Sequence, residues 1–181
     1  MTMPNWCRNN INIRTTDTEL LEEIYNHLVN GYLLNYLAPM PKDPLEGRYR
    51  WSVDNWGTKW DVSPETVEIK HYQKLLGSLE FDCETAWSPP IKALQTGAKN
   101  KDFAFTMEFE EPDMGIFGVA TNKMKEVHTI PCLYELAERH PTYELAVEEL
   151  TELVAGHIVY TFCLLERLEN EFENKGTRHE I

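Results

Sequence analysis

Three segments of this chain alternate strictly between apolar and polar residues, and this alternation constrains the fold more than any other feature. The segments lie at residues 7–14, 79–87 and 103–109. A period of two is typical of strands that bury one face and solvate the other. Asn9 occupies the apolar parity of the first segment, so its amide is expected to need a hydrogen-bond partner. The pattern predicts a mainly antiparallel sheet with one covered face.

Two helices are predicted beside these strands. Thr16 and Glu19 form a capping-box pattern, which predicts the start of the first helix. Ser88 is expected to cap the second helix, which we expect to close at Gly97. The apolar stretch 32–37 is interpreted as a strand that ends at the prolines after it.

The resulting order is β-α-β, then an aromatic insertion, then β-α-β-β. A strand-helix-strand pair that occurs twice predicts an α+β fold of the ferredoxin-like, split β-α-β type. In such a sandwich an antiparallel sheet carries its helices on one face. We expect this domain to span residues 3–129, followed by a C-terminal helical extension at 130–175.

Apolar residues recur at helical spacing through the extension, from Thr142 to Phe172. This spacing predicts a long helix with a kink or break near Gly156. The apolar stripe is longer than a small sheet readily covers, so it predicts a homodimer formed through this helix. The alternative is that the stripe packs inside the protein as core.

The formal net charge is −13, from 30 acidic and 17 basic side chains. Such a chain is repelled by nucleic-acid backbones and by anionic membranes, so no direct nucleic-acid or membrane binding is expected. The segment 135–181 supplies −7 of this charge, from eleven acidic and four basic residues. It is interpreted as solvated helix surface, with an acidic decoy that mimics nucleic acid as the alternative. The start of the chain lacks a signal-peptide pattern, so the cytoplasm is the expected location.

The cysteines and histidines form no pattern of metal ligands or catalytic groups. Cys7, Cys83, Cys132 and Cys163 lie far apart and are predicted to be reduced and free of metal. The six histidines, among them His157, are scattered along the chain. We therefore expect no cofactor and favour a non-enzymatic protein, while an uncharacterised hydrolase-like enzyme stays open.

The segment Trp56-Gly57-Thr58-Lys59-Trp60 is the best candidate site. It combines two stacking indoles with a hydroxyl and an ammonium, and Trp87 is expected to join them. These groups suit a nucleobase, a sugar or a proline-rich partner. A helical turn is expected to end at Gly57, and a brief strand is expected at 58–62. The alternative to a binding site is a structural cluster, in which the aromatic side chains fill the core beside a loop and Gly57 caps the helix.

Five short motifs occur in a fixed order along the chain. They are Pro4-Asn5-Trp6-Cys7-Arg8-Asn9, Pro39-Met40-Pro41, Asn55-Trp56-Gly57-Thr58-Lys59-Trp60, Thr85-Ala86-Trp87-Ser88-Pro89-Pro90 and Glu111-Pro112-Asp113-Met114-Gly115 with Gly118. This ordered series resembles the YubB-like family of phage and plasmid proteins, a ferredoxin-like domain of unknown function. The resemblance covers about residues 3–121 and supplies no activity and no catalytic residues.

The resemblance implies the split β-α-β fold and an origin on a mobile genetic element. We therefore expect a binding protein that acts in the host cytoplasm on host processes or defence. It would engage a host protein or a small ligand through Trp56, Thr58, Lys59, Trp60 and Trp87.

The dimer hypothesis has a direct test. Replacing Phe162 and Leu165 with Glu is expected to give a folded monomer, because two charges would interrupt the apolar stripe. Light scattering measures the mass and circular dichroism checks the fold. A wild-type protein that is already monomeric at high concentration would assign the stripe to internal core.

Overall fold

A computed structural model of the chain describes residues 5–129, 133–154, 156, 159 and 163–178. The strands are β1 (Trp6–Arg14), β2 (Glu68–Gln73), β3 (Ser78–Ala86), β4 (Ala104–Glu111), β5 (Ile116–Thr121) and β6 (Lys125–Thr129). The helices are α1 (Thr18–Val29), α2 (Leu33–Leu37), α3 (Arg48–Asn55), α4 (Ile91–Lys101), α5 (Leu133–Arg139), α6 (Tyr143–Leu153) and α7 (Leu164–Arg178). All three strands predicted from strict alternation are present.

Strand order confirms the ferredoxin-like α+β fold. In hydrogen-bonding order the six strands run β2-β3-β1-β4-β5-β6. Strand β1 pairs antiparallel with β3, from Trp6 opposite Ala86 to Arg14 opposite Ser78, and antiparallel with β4 on its other side. Strand β3 thus separates β1 from β2, while β1 separates β3 from β4. Each β-α-β unit is split by a strand of the other, as the fold type requires.

The core lies between one face of this sheet and the helices α1, α2 and α4. Cys7, Asn9, Ile11 and Ile13 of β1 are all buried, as their shared parity predicts. Helix α2 contacts both α1 and α4, so the three helices cover the same face. The predicted partner for Asn9 is present, because its amide donates to Cys7 O, Cys83 O and Thr85 Oγ1 at 2.9, 3.2 and 3.0 Å.

The expected closure of α4 at Gly97 is wrong, since the helix continues to Lys101. Gly97 serves a close approach of two helices instead. A Cβ at this position would lie 2.7 Å from the side chain of Leu37 on α2, below any normal contact distance. Asp102, in the left-handed conformation with φ of 58°, ends the helix.

The strand predicted at 32–37 is also wrong, because this stretch forms helix α2. Leu33, Leu34 and Leu37 are buried at helical spacing, and the Asp61 carboxylate accepts the backbone N–H groups of Leu34 and Asn35. The missing strand of the first β-α-β unit is β2. Its alternation is weak in sequence because every residue of this edge strand is exposed or half-buried.

Two capping predictions are wrong in their details. Asp17, and not Thr16, caps α1, where its Oδ1 accepts two backbone N–H groups of the first turn at 3.0 Å. Ser88 does not cap α4, since its hydroxyl donates to Gly57 O at 2.6 Å. The brief strand predicted at 58–62 is also wrong, because these residues have irregular structure.

The chain divides into two compact units, Met1–Glu111 with Val119–Lys125 and Pro112–Gly118 with Glu126–Ile181. In the second unit α5, α6 and α7 contact one another. Within the predicted C-terminal stripe Leu150, Val154 and Leu168 are buried, whereas Leu145 and Leu153 are 45% and 42% exposed, so only part of the stripe is internal. The predicted helix is broken at Val154, where α6 ends in extended backbone with φ of −127°, and this agrees with the break predicted near Gly156.

Three residues named in the predictions for this extension, Phe162, His157 and Cys132, lie outside the described residues. The homodimer therefore stays a prediction, with a smaller apolar surface to support it. Among the helices described, none combines the length and the apolar character that crossing a bilayer requires.

Thiol reactivity should follow burial. Cys7 and Cys83 are buried free thiols, and burial, the main cause, raises the pKa of both. Because the thiolate is the nucleophile, iodoacetamide at about pH 8 is expected to label exposed Cys163 long before either of them. Mass spectrometry of partially labelled protein measures this order, with urea-unfolded protein as the control. Equal rates in the native state would contradict the burial.

Candidate functional site

The segment 56–60 is held against the end of β3 and the loop after it by three contacts that involve backbone oxygens. Gly57 has φ of 91°, and a Cβ there would lie 2.9 Å from Pro89 O, so glycine is required. The Thr58 hydroxyl donates to Ala86 O at 2.9 Å, and Ser88 donates to Gly57 O. These contacts join the loop after α3 to the loop before α4.

Two of the predicted site residues are buried at this junction. Trp56 is 6% exposed, and its Nε1 donates to Ala38 O at 2.7 Å. The hydroxyl of Thr58 donates its hydrogen bond to Ala86 O, and the residue is 1% exposed. Both therefore position the segment and offer little surface to a partner.

The other aromatic residues are exposed and lie together. Trp60 is 46% and Trp87 is 40% exposed, and the structure adds Trp6 at 37% and Tyr49 at 56%. The ring centroids of Trp6 and Trp60 are 6.5 Å apart, and those of Tyr49 and Trp87 are 6.1 Å apart. We call these four residues, with Lys59 between them, the aromatic cluster.

Sequence reasoning missed Trp6 and Tyr49. Trp6 lies on the polar parity of β1, and a large indole on the solvated face of a strand is a readable signal. Tyr49 gives no such signal, because it belongs to the short helix α3, which is mostly exposed.

Lys59 supplies the charge of the aromatic cluster. Its Nζ lies 4.4 Å from the ring centroid of Trp60, 4.6 Å from that of Trp87 and 5.8 Å from that of Tyr49. These distances are those of cation–π contacts. Within the described ranges, no carboxylate lies within ion-pair distance of this ammonium.

The backbone of Trp87 is strained. Its φ is 70°, in the left-handed region that costs a residue with a Cβ about 1–2 kcal/mol. The Trp87 N–H donates to Asn5 O at 2.8 Å, which holds the residue in place. Strain of this kind, on an exposed aromatic residue, is typical of binding and catalytic sites.

A cleft of about 490 Å³ opens beside the aromatic cluster. It is lined by Gly31, Tyr32, Asn35, Met40, Arg48, Tyr49, Ser52, Trp56, Lys59, Trp60 and Asp61. Asp61 is occupied within the chain, since its two oxygens accept the N–H groups of Leu34, Asn35 and Val62 at 2.8–2.9 Å. Burial raises the pKa of Asp61, and these hydrogen bonds oppose that shift.

The acidic and metal-ligating side chains of the described residues bear on two of the alternatives. No group of three or more His, Cys, Asp or Glu side chains in them is arranged to hold a metal ion. In the acidic helices, Glu149 bonds to Arg139 and His140 of its own chain. The hydrolase-like and acidic-decoy alternatives both stay predictions.

One comparison with known proteins gives a match. Residues 55–155 match the family model described as the ferredoxin-like domain in Api92-like protein. This range includes Lys59, Trp60 and Trp87 and leaves out Trp6 and Tyr49. No curated protein and no solved structure matches the chain.

Two tryptophans four residues apart should differ sharply in their effect on stability. Trp56→Ala removes a buried indole and is expected to lower the free energy of unfolding by about 3–5 kcal/mol. Trp60→Ala removes a half-exposed one and is expected to cost about 1 kcal/mol or less. Urea unfolding measures both. Large and equal losses would make the whole segment structural.

The strain at Trp87 can be isolated with two truncations. Trp87→Ala and Trp87→Gly both remove the indole, but only glycine adopts the left-handed region without a steric cost. The Gly variant is therefore expected to be the more stable by about 0.5–1 kcal/mol, after the entropy of its unfolded chain is subtracted. Urea unfolding of the pair measures the difference. An Ala variant as stable as the Gly variant would contradict the strain.

Proposed function

We propose that this chain, which belongs to the family of the ferredoxin-like domain in Api92-like protein, is a non-enzymatic binding protein that engages a partner protein through the aromatic cluster. The family description names a fold and no activity. The proposal therefore rests on the surface that this chain presents.

The observation that carries the proposal is the exposed and strained Trp87 within a group of exposed rings. Trp and Tyr dominate the binding energy of protein interfaces, because they bury large area at low entropic cost. Folding alone would favour glycine at the Trp87 backbone conformation. An indole kept there, with its ring 40% exposed, favours a role in binding.

Lys59 adds a requirement on the partner. Its ammonium contacts three rings and faces no carboxylate among the described residues. A partner surface with apolar groups beside an acidic side chain would complement both the rings and this charge. The acidic surface elsewhere on the chain would then repel proteins whose surfaces are acidic throughout, and this repulsion would add to the specificity of binding.

The setting of this binding follows from the sequence resemblance. We infer that the gene belongs to a phage or plasmid and that the partner is a protein of the host cytoplasm. A mobile element that encodes a small non-enzymatic binder would use it to alter a host process or defence.

The proposal is tested by affinity capture from host lysate with matched variants. Wild type is expected to retain specific proteins that Trp60→Ala and Trp87→Gly lose while remaining folded. Leu75→Ala is the control, because Leu75 is 91% exposed on the turn before β3 and lies outside the aromatic cluster. Mass spectrometry quantifies the retained proteins.

Two results would contradict the aromatic cluster as the interface. One is the same set of proteins on wild type and on both Trp variants. The other is normal binding by the Trp variants together with loss of binding when Glu148, Glu149 and Glu152 are changed to Lys. That second result would favour the acidic decoy.

A further inference from the structure

We propose that the cleft beside the aromatic cluster binds a mononucleotide, that is, an aromatic base with a phosphate. The cleft shares Tyr49, Lys59 and Trp60 with the aromatic cluster. Trp6 and Trp87 do not line it. The inference goes beyond the proposed function, because it requires no partner protein.

The size of the cleft suits a small molecule. Its volume of about 490 Å³ lies within the range of about 300–1,000 Å³ that small-ligand sites occupy. Its walls come from the start of α2, from α3 and from the segment 56–61. The buried Trp56 and its bond to Ala38 O connect that segment to the end of α2, so the walls are held together in the free protein.

The rings of the cleft provide the stacking surface. Tyr32, Tyr49 and Trp60 are 62%, 56% and 46% exposed, and each lines the cleft. Aromatic rings left in solvent at the mouth of a cleft offer flat faces to another planar group. Any of the nucleobases can stack on such rings, because every base has a π face.

The charges of the cleft select an anion. Arg48 and Lys59 both line it, and among the described residues neither has a carboxylate within ion-pair distance. The acid of the lining, Asp61, has its oxygens occupied by backbone N–H groups. Two cations against one carboxylate give the cleft a positive balance in a chain whose net charge is −13.

The cations of the cleft suit an oxyanion such as phosphate. The planar guanidinium of Arg48 can donate two parallel hydrogen bonds to phosphate oxygens. The Lys59 ammonium lies 4.4 Å from the centroid of the Trp60 ring and so adds a second positive charge next to the stacking surface. Stacking rings and cations in the same cleft therefore fit a base and a phosphate at once.

Asn35 provides a polar group for the base edge. Its Oδ1 accepts the Met40 N–H at 3.0 Å, which orients the amide. In the part of the chain that the structure describes, its Nδ2 makes no hydrogen bond. A donor at this position can meet a ring nitrogen or carbonyl of a base.

Calorimetric titration of the full chain with the four common ribonucleoside monophosphates tests the inference. At least one is expected to bind, and its nucleoside without phosphate is expected to bind about tenfold more weakly or worse. Arg48→Ala should weaken the nucleotide about tenfold and leave the nucleoside unchanged. Trp60→Ala should weaken both, since it removes a stacking face.

The matched control is Arg50→Ala. Arg50 lies on the same exposed helix two residues from Arg48, but it pairs with Asp54 and does not line the cleft. Its substitution is expected to leave nucleotide affinity within about twofold of wild type, because any general effect of net charge would be the same for both arginines.

The inference is overturned if no nucleoside monophosphate binds, if nucleoside and nucleotide bind equally, or if Arg50→Ala weakens binding as much as Arg48→Ala. Trp87→Gly separates it from the proposed function, since Trp87 lies outside the cleft lining. That variant is expected to lose the partner protein and to keep the nucleotide. Loss of the partner without any nucleotide binding would overturn this inference alone.

Discussion

The contact between the loop after α3 and the end of β3 is the constraint on which the surface of this protein depends. Gly57 approaches Pro89 O so closely that a Cβ would collide, and Thr58 and Ser88 bond across the same junction. Without this contact, Trp60 and Lys59 would not meet Trp87, which belongs to the other loop. Both the aromatic cluster and the cleft therefore depend on a few neutral hydrogen bonds and on a glycine, without a side chain, at position 57.

Sequence reasoning predicted the sheet well where the signal was local. Strands β1, β3 and β4 follow from a period of two, because one covered face imposes that period on each strand alone. It placed the second strand of the first β-α-β unit at 32–37, whereas that strand is β2. Leu33, Leu34 and Leu37 suit a short helix as well as a strand, and Asp61, which selects the helix, lies far along the chain. Edge strand β2 lacks a buried face and so lacks the pattern.

The candidate site was predictable in composition and not in arrangement. Lys59, Trp60 and Trp87 were recognised from residue type, whereas Tyr49 joins them only through folding. Trp56 has the same side chain as Trp60 and the opposite environment, because its Nε1 reaches Ala38 O and its ring packs edge-on against Trp51. Residue type alone cannot separate such a pair, since burial is decided by distant parts of the chain.

The placement of the tryptophans has a spectroscopic consequence. The chain has five, and each belongs to the aromatic cluster or to the stretch from α3 to Trp60. Trp6, Trp60 and Trp87 are partly solvated, while Trp56 is shielded from water. Nearly all of the intrinsic fluorescence therefore originates around one site, and an ammonium lies against two of the emitting indoles. The unlabelled protein thus carries its own optical reporter of site occupancy, because the rest of the sequence contains no tryptophan and contributes little fluorescence.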